Sequence, residues 1–176
     1  MANSLADGNI RINSLPDEIR TAFRGTIKYQ APDNTEKWLY KKTLVTGADA
    51  QVLFADGENF LGATETDDLD SSDDKVKYIM IRHTGYTDII ESIKTKTYAV
   101  LFNFTNDDPE YNAASTKAEL FIYLEPNDTI ALKLPNCVCD DLSVRVAIIG
   151  TNGPSANGDA NAKVLLEVAA IIDDVT

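Results

Sequence analysis

From Val76 onward the chain repeats one pattern: a strand-length run with apolar residues at alternate positions, then a short polar spacer. The runs are VKYIMIRHT (76–84), TYAVLFNF (97–104), KAELFIYL (117–124), TIALKL (129–134), DLSVRVAII (141–149) and KVLLEVAAII (163–172). Apolar residues at period two mark one face of a β-strand, because successive side chains point to opposite sides of the sheet. On that basis Tyr98, Val100, Phe102 and Phe104 share a face. So do Ala118, Leu120, Ile122 and Leu124, then Ile130, Leu132 and Leu134. Leu142, Val144, Val146 and Ile148 form another such set, and Val164, Leu166, Val168, Ala170 and Ile172 the last. The run at 76–84 is apolar on both faces, with Val76, Tyr78 and Met80 opposite Ile79 and Ile81. It reads as a central strand covered on both sides.

Turn residues punctuate the runs. Glu125-Pro126-Asn127-Asp128 predicts a type I turn with Pro second, and Pro135-Asn136 predicts a strand end. Residues 150–159 are rich in Gly, Asn and Ser and predict a flexible loop. Residues 89–96 (IIESIKTK) fit a strand or a brief helix equally.

The first part is less regular. Residues 1–14 read as an extended arm in which Ile10 and Ile12 alternate with polar neighbours; it either adds a short strand or lies on a neighbouring subunit. Ser14-Leu15-Pro16-Asp17-Glu18 predicts a helix start, with a Ser cap, an early Pro and acids beside the positive end of the helix dipole. Strands are expected at 26–30 and 37–45, with Trp38 and Tyr40 on one face. A hairpin is expected from 50–55 and 59–63 about Asp56-Gly57. The acidic segment ETDDLDSSDD (65–74) follows and reads as a solvated loop within one domain. The expectation is an all-β chain: an antiparallel β-sandwich of jelly-roll or Greek-key type, with about eight strands or more. Residues 1–14 would form its extended N-terminal arm, and 15–176 a single domain carrying one short helix.

The chain has 176 residues and a formal charge of −12, from 28 acidic and 16 basic residues. A chain this acidic repels phosphate backbones and anionic bilayers, so neither nucleic acid nor membrane is an expected partner. The amino-terminal residues lack the basic and apolar regions of a signal peptide, and no apolar run reaches the length of a membrane span. Cys137 and Cys139 sit two residues apart, where a mutual disulfide is strained, and are expected as free thiols.

Candidate chemistry is sparse. His83 is the lone histidine. It follows Ile79 and Ile81 on an apolar strand, so a hydrogen-bonded structural imidazole is expected rather than a general base. The acidic segment lacks the calcium-loop framework, and no nucleotide-binding or zinc-protease motif occurs. No catalytic, cofactor-binding or metal residue is assigned. The residues expected at a partner contact are Ile10, Arg11 and Ile12, in the arm.

Four stretches, VKYIMIRHTGYTD (76–88), LEPNDTIALKLPN (124–136), SVRVAIIGTNG (143–153) and VLLEVAAIID (164–173), resemble small virion proteins of tailed, especially marine, bacteriophages. The resemblance spans residues 75–174. It implies a β-sandwich displayed on a particle, a capsid decoration or cement protein. It implies the major capsid protein or other virion subunits as partners, self-association, synthesis in the host cytoplasm, and no catalytic residues. Two alternatives stand beside it: a carbohydrate- or receptor-binding module of a tail or fibre, and a small hydrolase using His83 or paired carboxylates.

Overall fold

The computed structural model describes residues 5–11, 24–32, 35–47, 49–62, 68–104, 122–150, 153–156 and 161–175. The helix expected from Ser14 falls at 12–23, outside the described residues, as do residues 105–121. Eleven strands are described: β1 (Leu5–Arg11), β2 (Arg24–Gln30), β3 (Glu36–Thr46), β4 (Gln51–Val52), β5 (Lys75–His83), β6 (Tyr98–Asn103), β7 (Ile122–Leu124), β8 (Thr129–Val138), β9 (Ser143–Gly150), β10 (Gly153–Ala156) and β11 (Lys163–Asp173). Every pairing between them is antiparallel. The one helical element among the described residues is a 3-10 turn, Cys139–Asp141.

Two sheets carry the fold. One is ordered β3-β11-β5-β8; the other is ordered β10-β9-β6-β7, with β4 also on β9. From β3 onward the chain crosses from one sheet to the other at most connections; β6 and β7 are antiparallel neighbours within one sheet, as are β9 and β10. Setting aside β10, the eight strands lie in the orders 1-8-3-6 and 2-7-4-5. That is the wrapping of a jelly roll, in which two Greek keys close over one core. The alternation read from the sequence supplies that core. Leu39, Val45, Ile79, Ile81 and the even-numbered residues of β11 face Val100, Phe102, Leu124, Val144 and Val146, all nearly inaccessible. Each such side chain contributes roughly 1.5–3 kcal/mol by leaving water.

The ends of the roll follow from register. β5 runs from Lys75 to His83 beside β11, with Lys75 opposite Asp173 and His83 opposite Leu166. The connections at 84–97 and 125–128 therefore gather at the His83 end. Residues 68–74, the 3-10 turn and Asp174–Val175 gather at the other end, a strand length of about 30 Å away.

Four local expectations are corrected. First, β5 bulges at Lys77: Val76 pairs with Ile172 and Tyr78 with Ile171, leaving Lys77 as the extra residue. The bulge reverses parity, so Val76 joins Ile79 and Ile81 in the main core while Tyr78 faces outward. Second, Pro135 does not end β8, which continues to Val138. β8 is the outer strand of its sheet, and Pro135 falls where the register jumps from Lys133 to Cys137. An edge bulge is where a residue without an N–H is tolerated. Third, Gln51–Val52 pairs with β9 rather than with 59–63, and Asn59 bridges Asp68 instead. Fourth, Gly153–Ala156 within the Gly-rich stretch folds back on β9 as β10.

The described part of the acidic segment is built into the fold. Asp74 is fully buried, and its carboxylate accepts N–H bonds from Asp70 (3.0 Å) and Val175 (3.1 Å). Burial raises its pKa, and the two donors oppose that. The Asp56 carboxylate accepts from the Ser71 N–H at 2.8 Å. Side-chain oxygens here close the turns that lead into β5.

Residues 5–11 form a ribbon with β2, from Leu5 opposite Gln30 to Arg11 opposite Arg24. The ribbon lies on the outer face of the four-stranded sheet. Ala6 packs with Tyr78 and Ile171, and Ile27, Tyr29, Trp38 and Ala131 surround them. The Tyr29 and Tyr78 rings stack with centroids 6.4 Å apart.

Candidate functional site

The His83 end of the roll is densely hydrogen-bonded. Its centre is His83 itself, which is fully buried. The backbone N–H of Gly85 donates to its Nδ1 at 3.0 Å, and its Nε2 donates to the Tyr98 carbonyl at 3.1 Å. That pattern holds the neutral tautomer protonated on Nε2. Burial lowers the imidazole pKa below its ordinary value. The backbone of His83 bonds the 125–128 turn from both sides, accepting from the Asn127 N–H and donating to the Asp128 carbonyl, each at 2.9 Å. His83 thus ties β5, β6 and the 125–128 turn together, and both ring nitrogens are occupied by backbone, which makes it the hydrogen-bonded structural imidazole expected from the sequence.

That turn closes with the Asp128 N–H donating to the Glu125 carbonyl at 2.9 Å. Asn127 at φ 73° makes it type II, not the type I expected, since positive φ at the third position defines type II. Gly85 faces it at φ +81°, and a Cβ there would lie 3.0 Å from Asn127 Oδ1.

Residues 89–96, undecided between strand and helix in sequence, form neither within the 84–97 connection. Tyr86 bridges Lys94, and the Thr87 N–H donates to the Ile93 carbonyl at 2.8 Å. The Asp88 carboxylate accepts from the Ser92 hydroxyl (2.6 Å) and from the N–H groups of Ser92 and Ile93 (3.0 and 2.7 Å). Those bonds, the Ser92 hydroxyl first, lower its pKa. Glu91 takes φ 56° at the tip and pairs with Lys42 of β3. The product is a closed knuckle whose outward side chains are Ile89, Ile90 and Ile93, exposed by 58%, 78% and 59%. Apolar residues in a turn-rich stretch were the signal for it in the sequence. Beside it lies a cleft of about 470 Å³ lined by Tyr86, Lys94, Lys96, Glu125, Asn127 and Ile149.

A second cleft, of about 580 Å³, opens between the ribbon and the sheet beneath it, beside Tyr29, Glu36, Lys77, Lys133 and Asp173. Lys77 bridges Asp173 at 3.1 Å, and the Tyr29 hydroxyl donates to Glu36 at 3.1 Å. Of the residues expected at a partner contact, Ile10 and Arg11 end β1 opposite Gly25 and Arg24. Their side chains, and all of Ile12, lie outside the described residues.

Trp38 is drawn into the cluster under the ribbon, whereas Tyr40 on the same face is 45% exposed and donates to Glu167 at 2.5 Å. Cys139 is buried in the core and Cys137 packs against it; both are free. Burial raises both thiol pKa values, that of Cys137 to about 11. No group of metal-ligating side chains assembles among the described residues, and no described helix is long and apolar enough to cross a membrane.

No protein-family model matches this chain, and no curated protein matches it. Among solved structures it is similar to the coat protein of tobacco streak virus, at 10% identity and a TM-score of 0.39 over 80% of this chain and 87% of that one. A likeness that low bears on neither fold nor role; the fold rests on the strand order and register given above.

Proposed function

We propose that this chain is a non-enzymatic structural component of a virion: a decoration or cement protein that binds the head shell of a tailed bacteriophage in many copies and reinforces it. The observation that carries the reading is the strand order. Eight strands wrapped 1-8-3-6 against 2-7-4-5 form the architecture used by viral capsid domains, by lectins and by cupins. Fold alone does not choose among these. The lone imidazole supports the choice away from catalysis, because both its nitrogens are engaged by backbone inside the core. A general base or metal ligand needs a free nitrogen facing a substrate or ion. The four stretches that resemble phage virion proteins support the choice of a shell, and they map onto β5, the 125–128 turn with β8, β9 and β11. An acidic surface suits a protein displayed in dense array, since it opposes non-specific association.

The test is rebinding. Purified chain is mixed with phage heads lacking it, and the heads are pelleted. Saturable co-pelleting at a stoichiometry matching the lattice is expected. No co-pelleting, together with saturable binding on a glycan array, would transfer the protein to the receptor-binding reading.

A further inference from the structure

Three polar side chains continue the inner face of the four-stranded sheet at the end away from His83. Lys37 lies two residues before Leu39 on β3. Asp174 lies two after Ile172 of β11, and Asp74 two before Val76 of β5; Leu39, Ile172 and Val76 all belong to the main core. Side chains alternate along a strand, so the three share that inner face. Register sets them side by side. Lys37 pairs with Ile172, which puts Asp174 on its diagonal. Asp173 pairs with Lys75, so Asp74 follows opposite Asp174. Opposed positions on antiparallel strands have Cβ atoms about 5 Å apart, and diagonal ones stay within reach of a long side chain.

The contacts agree with the register. The Lys37 Nζ pairs directly with the Asp174 carboxylate, and the Phe60 ring lies over it, with its centroid 5.4 Å from Nζ. Asp174 is 9% exposed, and Asp74 is fully buried. Both acids are held by backbone. The Asp174 N–H donates to the Thr35 carbonyl at 3.2 Å. The Asp74 N–H donates to the Asp70 carbonyl at 2.9 Å, and its carbonyl accepts from the Cys139 N–H at 3.0 Å. The Val175 N–H, one residue beyond Asp174, donates to the Asp74 carboxylate at 3.1 Å.

In water an ammonium and a carboxylate form an ion pair and go no further. Taken out of water, the pair loses its hydration, and one proton passed from nitrogen to oxygen leaves an amine beside a carboxylic acid. Those are the reactants of an amide. Asp74 supplies a group that can move the remaining protons. Burial raises its pKa, and the charges of Asp174 and Asp70 act in the same direction against its two N–H donors. It therefore takes up a proton more readily than an exposed carboxylate does.

We infer that Lys37 and Asp174 join in an intramolecular amide bond, with Asp74 carrying the proton. Lys37 Nζ, having given one proton to the Asp174 carboxylate, attacks Asp174 Cγ with its lone pair. Asp74 takes the second proton from the nitrogen and passes it to the departing hydroxyl. The N–C bond forms, the C–O bond breaks with its electron pair on oxygen, and one water leaves. Asp74 ends ionised, as it began. Groups held in place react as though at about 10⁵–10⁸ M. Lys41, the next inward lysine of β3, gives the contrast. It pairs with Glu58 over the Phe54 ring, but its row runs on through Val168 and Ile81, apolar where the other row holds Asp74. Lys41 stays an ion pair. The bond at Lys37 ties the first strand of the roll to the last and restricts the unfolded chain. It is a property of the chain alone and does not depend on a role in a shell.

Intact-mass spectrometry of the purified full chain under denaturing conditions reads it. A mass lower by one water than the sequence requires is expected, and a protease digest should yield one branched peptide holding Lys37 and Asp174. Lys37→Arg and Asp174→Ala should each restore the full mass. Asp74→Asn, shown to fold by circular dichroism, should also keep the full mass although both reacting residues are present. A wild-type chain of full mass overturns the inference without recourse to any variant. So does a chain lighter by one water whose Lys37 and Asp174 fall in separate peptides, since the dehydration then lies elsewhere. A folded Asp74→Asn chain that forms the bond as fast as the wild type overturns the role given to Asp74.

Discussion

His83 shows how much one side chain is asked to do. It is the only imidazole in the chain, buried and neutral, with Gly85 and Tyr98 as partners. Its pKa is lowered in the fold, chiefly by burial. The unfolded chain therefore binds a proton below about pH 6.5 that the folded chain resists. The stability it contributes is whole above that pH and is lost as pH falls toward the lower folded value. Since no other imidazole titrates, thermal melts between about pH 7 and pH 5 should decline with His83 present. They should flatten in His83→Gln, whose amide supplies one acceptor and one donor. An equal decline in that variant would place the effect elsewhere. Gly85 is the neighbouring test. Its positive φ and the 3.0 Å approach to Asn127 leave no room for a methyl group, so Gly85→Ala should cost at least about 1 kcal/mol in denaturant unfolding. Both residues could be placed from sequence, one as a structural histidine on the apolar face and the other in a turn. Their mutual bonding could not, because it depends on the 125–128 turn, some forty residues away.

At the scale of elements, alternation was legible wherever a strand meets the core on one face, as β6, β9 and β11 do. It failed where backbone geometry intervenes. A single extra residue at Lys77 moved Val76 from the outer face to the inner one, and nothing in a period-two pattern marks a bulge. Pro135 looked like a stop because Pro interrupts ladders; an edge strand with a bulge has room for it. The hairpin expected about Asp56-Gly57 lost to pairings formed elsewhere: the turn is there, with Gly57 at φ +77°, but its flanks bond β9 and Asp68. The ribbon carries its own prediction. Removing residues 1–11 would strip β1 from β2 and uncover Tyr78 and Ile171, which are 1% and 0% exposed. Urea unfolding of the truncated chain should show a lower midpoint, with the far-ultraviolet β signature retained. An unchanged midpoint would mean that the ribbon adds nothing to the stability of the sheet beneath it.

For the molecule as a whole, the sequence disclosed its class but not its wrapping. Two layers were readable from strand lengths and faces. The strand orders were not, because β3 pairs with β11 across more than a hundred residues, from Glu36 with Asp173 to Thr46 with Lys163. The knuckle was only half legible: its isoleucines stood out in a turn-rich stretch that fitted a strand or a brief helix equally, and it is the bonds of Asp88 and Lys42 that turn Ile89, Ile90 and Ile93 outward. What remains is a closed sandwich whose histidine is walled in and whose distinctive features are surfaces. The proposed role in a phage head shell is tested most directly by quantitative mass spectrometry of purified virions. Copies numbering in the hundreds per particle, in fixed ratio to the major capsid protein, are predicted. A protein missing from the particles, or present in only a few copies, would contradict a role in the shell.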